Sequence, residues 1–336
     1  MPDSGPKQAA RGVVTDNLVS LQSFILEEEA RYPGATGEFS WIISAVSLAA
    51  KIIAHKVRHV RLQEVLGEQG DTNVQGETQL RMDVIANEVI MRVLGGRSSI
   101  AVLGSEEDEE PTILRRGRDG GKYCVLFDPL DGSSNLDTAV GVGTIFTILR
   151  NDPTIAGAVE TVCQPGSKQV AAGYVLYGSS TIFVITTGRG VHMFELDASI
   201  GSFMLVKRDI RMPDRKKVYS VNEANADGFP ESFQRYLRWA HANGYSSRYI
   251  GSMVADVHRT LVNGGVFLYP PTKKHPQGKL RLLDEANPMS FLVEQAGGTS
   301  VAADGRRTMD IVPRELHERV PLVMGSRDEV AAVLGA

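Results

Sequence analysis

Phe127-Asp128-Pro129-Leu130-Asp131-Gly132-Ser133-Ser134-Asn135 is the stretch on which the rest of the chain turns. The residues before it, Lys122 to Phe127 (KYCVLF), form a short, mostly apolar run that reads as a buried strand. Pro129 then removes an amide donor and fixes φ, while Gly132 opens backbone conformations closed to other residues. The chain must therefore turn, and the turn presents Asp128 and Asp131 at the end of a buried strand. Behind them, Gly132, Ser133 and Ser134 offer unhindered N–H groups and two hydroxyls, a nest or helix start for a phosphate. Asp, Gly, Ser and Asn are also the commonest turn residues. The strand and the paired aspartates in this order favour a site over a plain turn. Carboxylates beside an anion cradle repel the anion unless a cation lies between, and Mg²⁺ takes oxygen ligands from both.

The same layout recurs upstream. Ile100 to Leu103 reads as a buried strand opening into Gly104-Ser105-Glu106-Glu107-Asp108-Glu109-Glu110. An acidic run is usually a solvated surface. Glu106 and Glu107 differ because they directly follow an apolar strand. Two strands delivering carboxylates at their ends is how a multi-metal site is assembled.

The whole composition is that of an ordinary soluble globular protein. The 336 residues, 42% hydrophobic and 23% charged, have room for one large core or two domains. A net charge of −4 gives no basic footprint for nucleic acid. Cys124 and Cys163 cannot build a disulfide framework and point to a reducing compartment. The polar opening MPDSGPKQAARG has no apolar secretory core, and the C-terminal Val-Leu-Gly-Ala matches no address signal. Trp41 to Ala54 is the most apolar helical stretch; it reads as too short to span a membrane and contains Lys51. These features predict a cytoplasmic protein that binds neither nucleic acid nor membrane.

Taken in order, residues 1–16 are a polar tail. Helices are expected over about 17–31, 40–66 and 77–94, with a mobile Gly-rich loop at 67–76. Strands follow one another from Val142 to Asp197 as an antiparallel meander. The charged segment Arg208 to Lys217 marks a boundary between domains 17–209 and 210–336. Beyond it strands alternate with helices, including one from Ser252 to Val262, one from Asp284 to Ala296 and a last one capped by Ser326 with Glu329. The expected architecture is a layered α/β or α+β sandwich with two mixed or antiparallel sheets and helix layers.

The motifs FDPLDGSSN, the SEED block, RYIGSMVADVHRT from Arg248 to Thr260 and GKLRLL…E…NPM from Gly278 to Met289 resemble class I fructose-1,6-bisphosphatases, over essentially the whole chain from Asn17. The wider lithium-sensitive, metal-dependent phosphatases share only the DPLDG core, the acidic pair and the fold. The resemblance implies hydrolysis of D-fructose 1,6-bisphosphate, a gluconeogenic step, with two or three Mg²⁺ that Mn²⁺ can replace. It implies metal ligands at Glu77, Glu106, Asp128, Asp131, Glu285 and the carbonyl of Leu130, and water activation by Asp83 and Glu107. It places the 1-phosphate on the backbone of Gly132, Ser133 and Ser134. The sugar end falls to Asn222, Tyr249, Tyr269, Lys279 and Arg248, the last reaching in from a neighbouring subunit of a homotetramer. An allosteric AMP pocket is implied at Thr36, Gly37, Glu38, Lys122, Tyr123 and Arg150. Three positions depart from the animal pattern: Glu77 replaces Asp, Asn225 replaces a tyrosine on the 6-phosphate, and Leu66 replaces the tyrosine that anchors the closed loop. His258 reads as a helix-packing residue. The alternatives carried by the same residues are sedoheptulose-1,7-bisphosphatase activity, alone or in addition, and a non-catalytic sugar-phosphate or AMP sensor.

Overall fold

The computed structural model describes residues 19–31, 37–63, 66–72, 78–116 and 120–335. Residues 1–16, Thr36 and Glu77 lie outside them, so nothing structural attaches to those three expectations.

The chain folds into alternating layers of helix and sheet. The first helices are α1 (Leu21–Glu29), α2 (Glu38–Arg58) and α3 (Arg81–Gly95). A hairpin of β1 (Glu68–Thr72) and β2 (Thr78–Leu80) precedes α3. The large sheet contains β3 (Ile100–Ser105), β4 (Thr112–Ile113), β5 (Tyr123–Asp131), β6 (Val142–Arg150), β7 (Gln169–Tyr177), β8 (Thr181–Thr186), β9 (His192–Asp197) and β10 (Ser202–Lys207). Its order is β10-β9-β8-β7-β6-β5-β3-β4, and of its neighbouring pairs β3 and β5 alone run parallel. The short helix α4 (Ala158–Val162) lies between β6 and β7.

The second sheet has β11 (Val218–Ser220), β12 (Ser246–Ser247), β13 (Val266–Tyr269), β15 (Thr299–Ala302) and β17 (Leu322–Gly325), in the order β12-β11-β13-β17-β15. A separate pair joins β14 (Leu280–Arg281) to β16 (Arg319–Val320). The remaining helices are α5 (Glu231–Ala242), α6 (Met253–Asn263), α7 (Asn287–Gln295) and α8 (Arg327–Leu334).

Alternation along each strand explains the layers. Val125 and Phe127 join the core under α1, α2 and α3, whereas Cys124 and Leu126 join a smaller cluster on the opposite face. Ile145, Tyr174 and Val184 meet α6 and α7, which also cover Phe267, Leu322 and Met324 of the second sheet. Val266 and Leu268 face the other way, onto Phe233 and Leu237 of α5 and Val330 of α8. Strands buried on both faces read as continuous apolar runs, which is why the meander was so plain in sequence.

Several local readings are corrected. Among the described residues α2 is the one helix long and apolar enough to cross a membrane. The apolar stretch set at Trp41 to Ala54 was therefore too short. Half of the helix's most apolar stretch is buried in the fold, and Ile42, Ile43, Val46 and Ile53 line the face turned to the sheet. Burying each contributes about 1.5–3 kcal/mol, so the apolar face is accounted for by the core. The helix ends at Arg58, not near Leu66, and His59 caps it. The segment expected as loop contains β1, and the third helix starts at Arg81, four residues later than expected. There Asp83 accepts the Leu80 N–H at 3.1 Å. The helix expected from Asp284 begins as a wide π-turn, Leu282–Ala286, and becomes α-helical at Asn287. Ser326 does not cap α8 through its side chain. Its hydroxyl donates to Pro213 O and accepts from Gly265 N, while Glu329 accepts from Lys216 N and Tyr245 Oη. Strands β2, β4, β10, β12, β15 and β16 also escaped the sequence reading.

Candidate active site

Parallel β3 and β5 end side by side, with Ser105 opposite Phe127 and the Glu106 N–H on the Phe127 carbonyl at 3.0 Å. The carboxyl ends of neighbouring parallel strands are where ligands gather in α/β folds. Here they deliver Glu106 and Glu107 next to Asp128. The register of β5 on β6 slips between Asp128–Ile145 and Asp131–Gly143. This bulge holds Pro129, whose missing N–H needs no ladder partner, and it re-aims Asp131. Two glycines permit the approach of α6. Gly132 has φ +73°, and a Cβ there would lie 2.7 Å from Ser252 Cβ; at Gly143 it would lie 2.6 Å from Val254 Cγ1.

A cavity of about 860 Å³ opens between the sheets at this point. Its acidic wall is Asp83, Glu106, Glu107, Asp128, Asp131 and Glu285. Asp128, Asp131 and Glu285 each offer an oxygen within 4.8 Å of the others, and all three are buried. Asp131 Oδ2 accepts from Ser252 Oγ at 2.8 Å and from Val254 N at 2.9 Å. Burial pushes Asp131 up to about 6, opposed by the Val254 N–H and reinforced by Glu285. Burial likewise raises Asp128 well above the carboxylate range, with Glu106, Asp131 and Glu285 adding repulsion. Glu106 is raised by burial, against the pull of Arg281. Like charges packed this tightly require protons or cations. The donor set, hard oxygens only, suits Mg²⁺ or Mn²⁺.

The floor of the cavity is the expected cradle. Gly132, Ser133 and Ser134 line it, and a short 3₁₀ helix runs on over Ser133–Thr138. Ser133 Oγ donates to Asp83 Oδ2 at 3.1 Å, tying the cradle to α3. Glu107 is half-buried beside it, its N–H on Ser105 Oγ at 3.2 Å. Leu130 is buried in β5 and not on the cavity wall; its N–H meets Asp128 Oδ1 at 2.9 Å.

At the other end, Tyr249, Tyr269 and Lys279 line the cavity as expected, joined by Lys274, His275 and Arg319. Asn222 stands behind this wall. Its side chain bonds to Tyr249 and accepts the Ala224 N–H at 3.2 Å. Arg248 is exposed and outside the cavity, its Nη1 on Ser247 O at 2.8 Å. His258 packs as expected: Tyr174 Oη lies 2.7 Å from its Nδ1, and burial pushes it down to about 4.

Sequence reasoning missed Arg281, Asp284, Ser252 and Asp256. Arg281 is buried and pairs with Glu106 at 2.6 Å and Glu285 at 3.6 Å. Burial alone would lower its pKa, but Glu106 and then Glu285 outweigh that and raise it. Asp256 accepts the Ile250 and Gly251 N–H groups at 3.0–3.1 Å, holding the Tyr249 loop. A charge inside the apolar run Leu280–Leu283 was the available signal for Arg281.

The second expected pocket also assembles from its described residues. Gly37 begins α2 with φ +77°, Glu38 pairs with Lys122, and the Arg150 guanidinium lies 5.4 Å from the Tyr123 ring centre. Tyr123 and Arg150 are cross-strand partners on β5 and β6. An apolar groove of about 390 Å³, lined by Leu21, Ile25, Leu26 and Trp41, reaches Gly37.

Comparison with known proteins adds the family. Residues 19–208 match the family described as "Fructose-1-6-bisphosphatase, N-terminal domain", and 212–336 match "Fructose-1-6-bisphosphatase, C-terminal domain". The chain is 48% identical over 324 residues to "Fructose-1,6-bisphosphatase class 1" of Chlorobium chlorochromatii, covering 94% of this chain and 96% of that one. It is 45% identical over 322 residues to the cytosolic fructose-1,6-bisphosphatase of Arabidopsis thaliana, covering 94% of each. The holo-form crystal structure of Leishmania major fructose-1,6-bisphosphatase superposes with a TM-score of 0.89 at 39% identity, covering 94% of this chain and 98% of that one. The T-state structure of the same enzyme gives 0.84 at 37%, with the same coverage.

Proposed function

The chain belongs to the class I fructose-1,6-bisphosphatase family, and from that premise we propose that it hydrolyses D-fructose 1,6-bisphosphate to D-fructose 6-phosphate and phosphate with divalent cations held at its buried acidic cluster. The observation that carries the reading is the group Asp128, Asp131 and Glu285, with ligand atoms within 4.8 Å, beside an anion cradle in one cavity. Mg²⁺ is the assigned ion, two or three per subunit, with Mn²⁺ able to replace it. Glu106 and the Leu130 carbonyl complete the ligands, with Glu77 contributing from the loop. Bound there, the ions neutralise phosphoryl charge and lower the pKa of a water. Gly132, Ser133 and Ser134 hold the 1-phosphate through N–H groups and hydroxyls. Asp83 and Glu107 orient the attacking water and take its proton. Tyr249, Tyr269 and Lys279 bind the far phosphate through hydroxyl and ammonium donors, and Asn222 acts by fixing Tyr249. Phosphate release from fructose 1,6-bisphosphate, measured with and without Mg²⁺, tests the whole reading. Turnover that survives thorough chelation sinks it. A rate on sedoheptulose 1,7-bisphosphate exceeding that on the fructose ester reassigns the substrate, and no release from either leaves the sensor reading.

We place the protein in the cytoplasm as a homotetramer of subunits divided at residues 209 and 210. Two unbridged thiols, one buried and one half-buried, suit a reducing compartment. Arg248 completes the sugar-phosphate site of a neighbouring subunit, which accounts for an exposed guanidinium just outside its own cavity. An inactive Arg248→Ala protein mixed with an inactive Lys279→Ala protein should then regain activity, because some sites receive both intact residues. Proven subunit exchange without recovery assigns Arg248 to its own chain.

AMP is assigned to the pocket at the start of α2 as an allosteric inhibitor. The helix N-terminus, Lys122 and Arg150 receive its phosphate, with Lys122 exchanging Glu38 for the ligand; the adjacent apolar groove receives the base. A charge-assisted contact contributes about 1.5–3 kcal/mol. Arg150→Ala should therefore weaken AMP inhibition about ten- to hundred-fold while kcat and KM barely move. Competition between AMP and fructose 1,6-bisphosphate would overturn the remote placement.

A further inference from the structure

Asp284 has no task in the scheme above, yet it is buried beside the acidic cluster. It sits in the π-turn Leu282–Ala286 beside Glu285 and is 1% exposed. Its Oδ1 is buried and, among the described residues, has no hydrogen-bond partner. A buried carboxylate oxygen without a donor is unfavourable and calls for an explanation. The charge that acts most strongly on Asp284 is Arg281, three residues earlier.

Arg281 is itself engaged where cations must go. Its guanidinium pairs with Glu106 and Glu285, at 2.6 and 3.6 Å. Carboxylates facing a guanidinium have fewer lone pairs for a metal, and the guanidinium repels the incoming ion. Releasing Arg281 into the buried interior without a new partner would strand a charge in low dielectric. We propose that Asp284 is a positioning residue for metal uptake, whose open carboxylate oxygen receives Arg281 as Glu106 and Glu285 turn to the cations. Loading then exchanges one buried ion pair for another. The inference rests on the acidic cluster being a cation site.

Mn²⁺ titration of the metal-free protein, read by calorimetry and by the electron paramagnetic resonance of the free ion, tests it in a double-mutant cycle. Asp284→Asn keeps shape and removes the charge. It should bind Mn²⁺ about ten- to hundred-fold more weakly than wild type, the usual scale for an outer partner of a metal ligand. The metal-free variant should be at least as thermostable as wild type, since it loses an unsatisfied buried carboxylate. In an Arg281→Met background the same change should alter Mn²⁺ affinity less than about twofold, because no guanidinium needs rehousing. A simple through-space loss of negative charge would lower affinity equally in both backgrounds, and that result overturns the proposal. So does wild-type affinity in Asp284→Asn; Asp284→Ser serves as the second variant if the asparagine protein does not fold. Failure of the wild type to bind Mn²⁺ at all would overturn the cation site as well, which separates the two readings.

Discussion

Replacing Asp131 by Asn should lower turnover by about 10³-fold or more while leaving the protein folded. A bound cation supplies several kcal/mol of transition-state stabilisation, and each 1.36 kcal/mol is tenfold in rate. Asp131 is one of the three carboxylates converging within 4.8 Å, so its charge has no local substitute. The amide oxygen of Asn still accepts the Ser252 hydroxyl and Val254 N–H that anchor the start of α6. Loss of activity is thereby separated from loss of fold. The same carboxylate has a thermal signature. Its folded pKa of about 6 exceeds the ordinary 3.8, so the folded state holds a proton that the unfolded state has released. Metal-free wild type should therefore lose stability as pH rises from about 4 to about 6, since unfolding releases protons in that window. Asp131→Asn should lose less over the same window. A variant with near-normal kcat, or one that unfolds outright, would remove Asp131 from the proposed role.

Glu107→Gln should lower kcat by about 10²–10⁴-fold, the usual scale for losing a positioned base. Glu107 is half-buried on the cavity wall, fixed through its own N–H to Ser105 Oγ, and stands beside the cradle with Asp83. Gln is nearly isosteric and still orients a water, but it cannot take the proton. KM and Mn²⁺ affinity should change far less than kcat. Should Mn²⁺ affinity fall in step with kcat instead, Glu107 is acting as a ligand and the base must be sought elsewhere, with Asp83 first.

The parts of this site that lie within one strand and its turn were legible in the sequence. Asp128, Asp131 and the cradle share a single segment, and Glu106 and Glu107 repeat its pattern, so period-two alternation and turn chemistry found them together. Arg281 and Asp284 were not found because their meaning comes from the neighbour, not the segment. Arg281, on β14, becomes part of the acidic cluster only when the fold brings it to Glu106, which follows β3. Local rules also failed where a side chain found a distant partner. Ser326 followed by Glu329 has the form of a capping box, yet Pro213, Gly265, Lys216 and Tyr245 claim both side chains. The β1–β2 hairpin was missed for the opposite reason: Glu68–Thr72 (EQGDT) is polar throughout, so the sequence holds no apolar alternation for a periodicity to mark.

Helix α2 has a mechanical consequence. Its first residues belong to the proposed nucleotide pocket, through Gly37 and the Glu38–Lys122 pair. Near its last turn Arg58 holds Thr181 Oγ1 at 2.9 Å, and just beyond it Arg61 holds the Asp137 carbonyl, in the 3₁₀ segment that begins at the phosphate cradle. Twenty-one residues at 1.5 Å each make a rod of about 30 Å. Such a rod neither stretches nor shortens, so pivoting it by about 5° at one end displaces the other by about 2.6 Å over that length. The two proposed pockets are thus fastened to opposite ends of one stiff member, and a ligand seated at the first would be felt at the second as leverage.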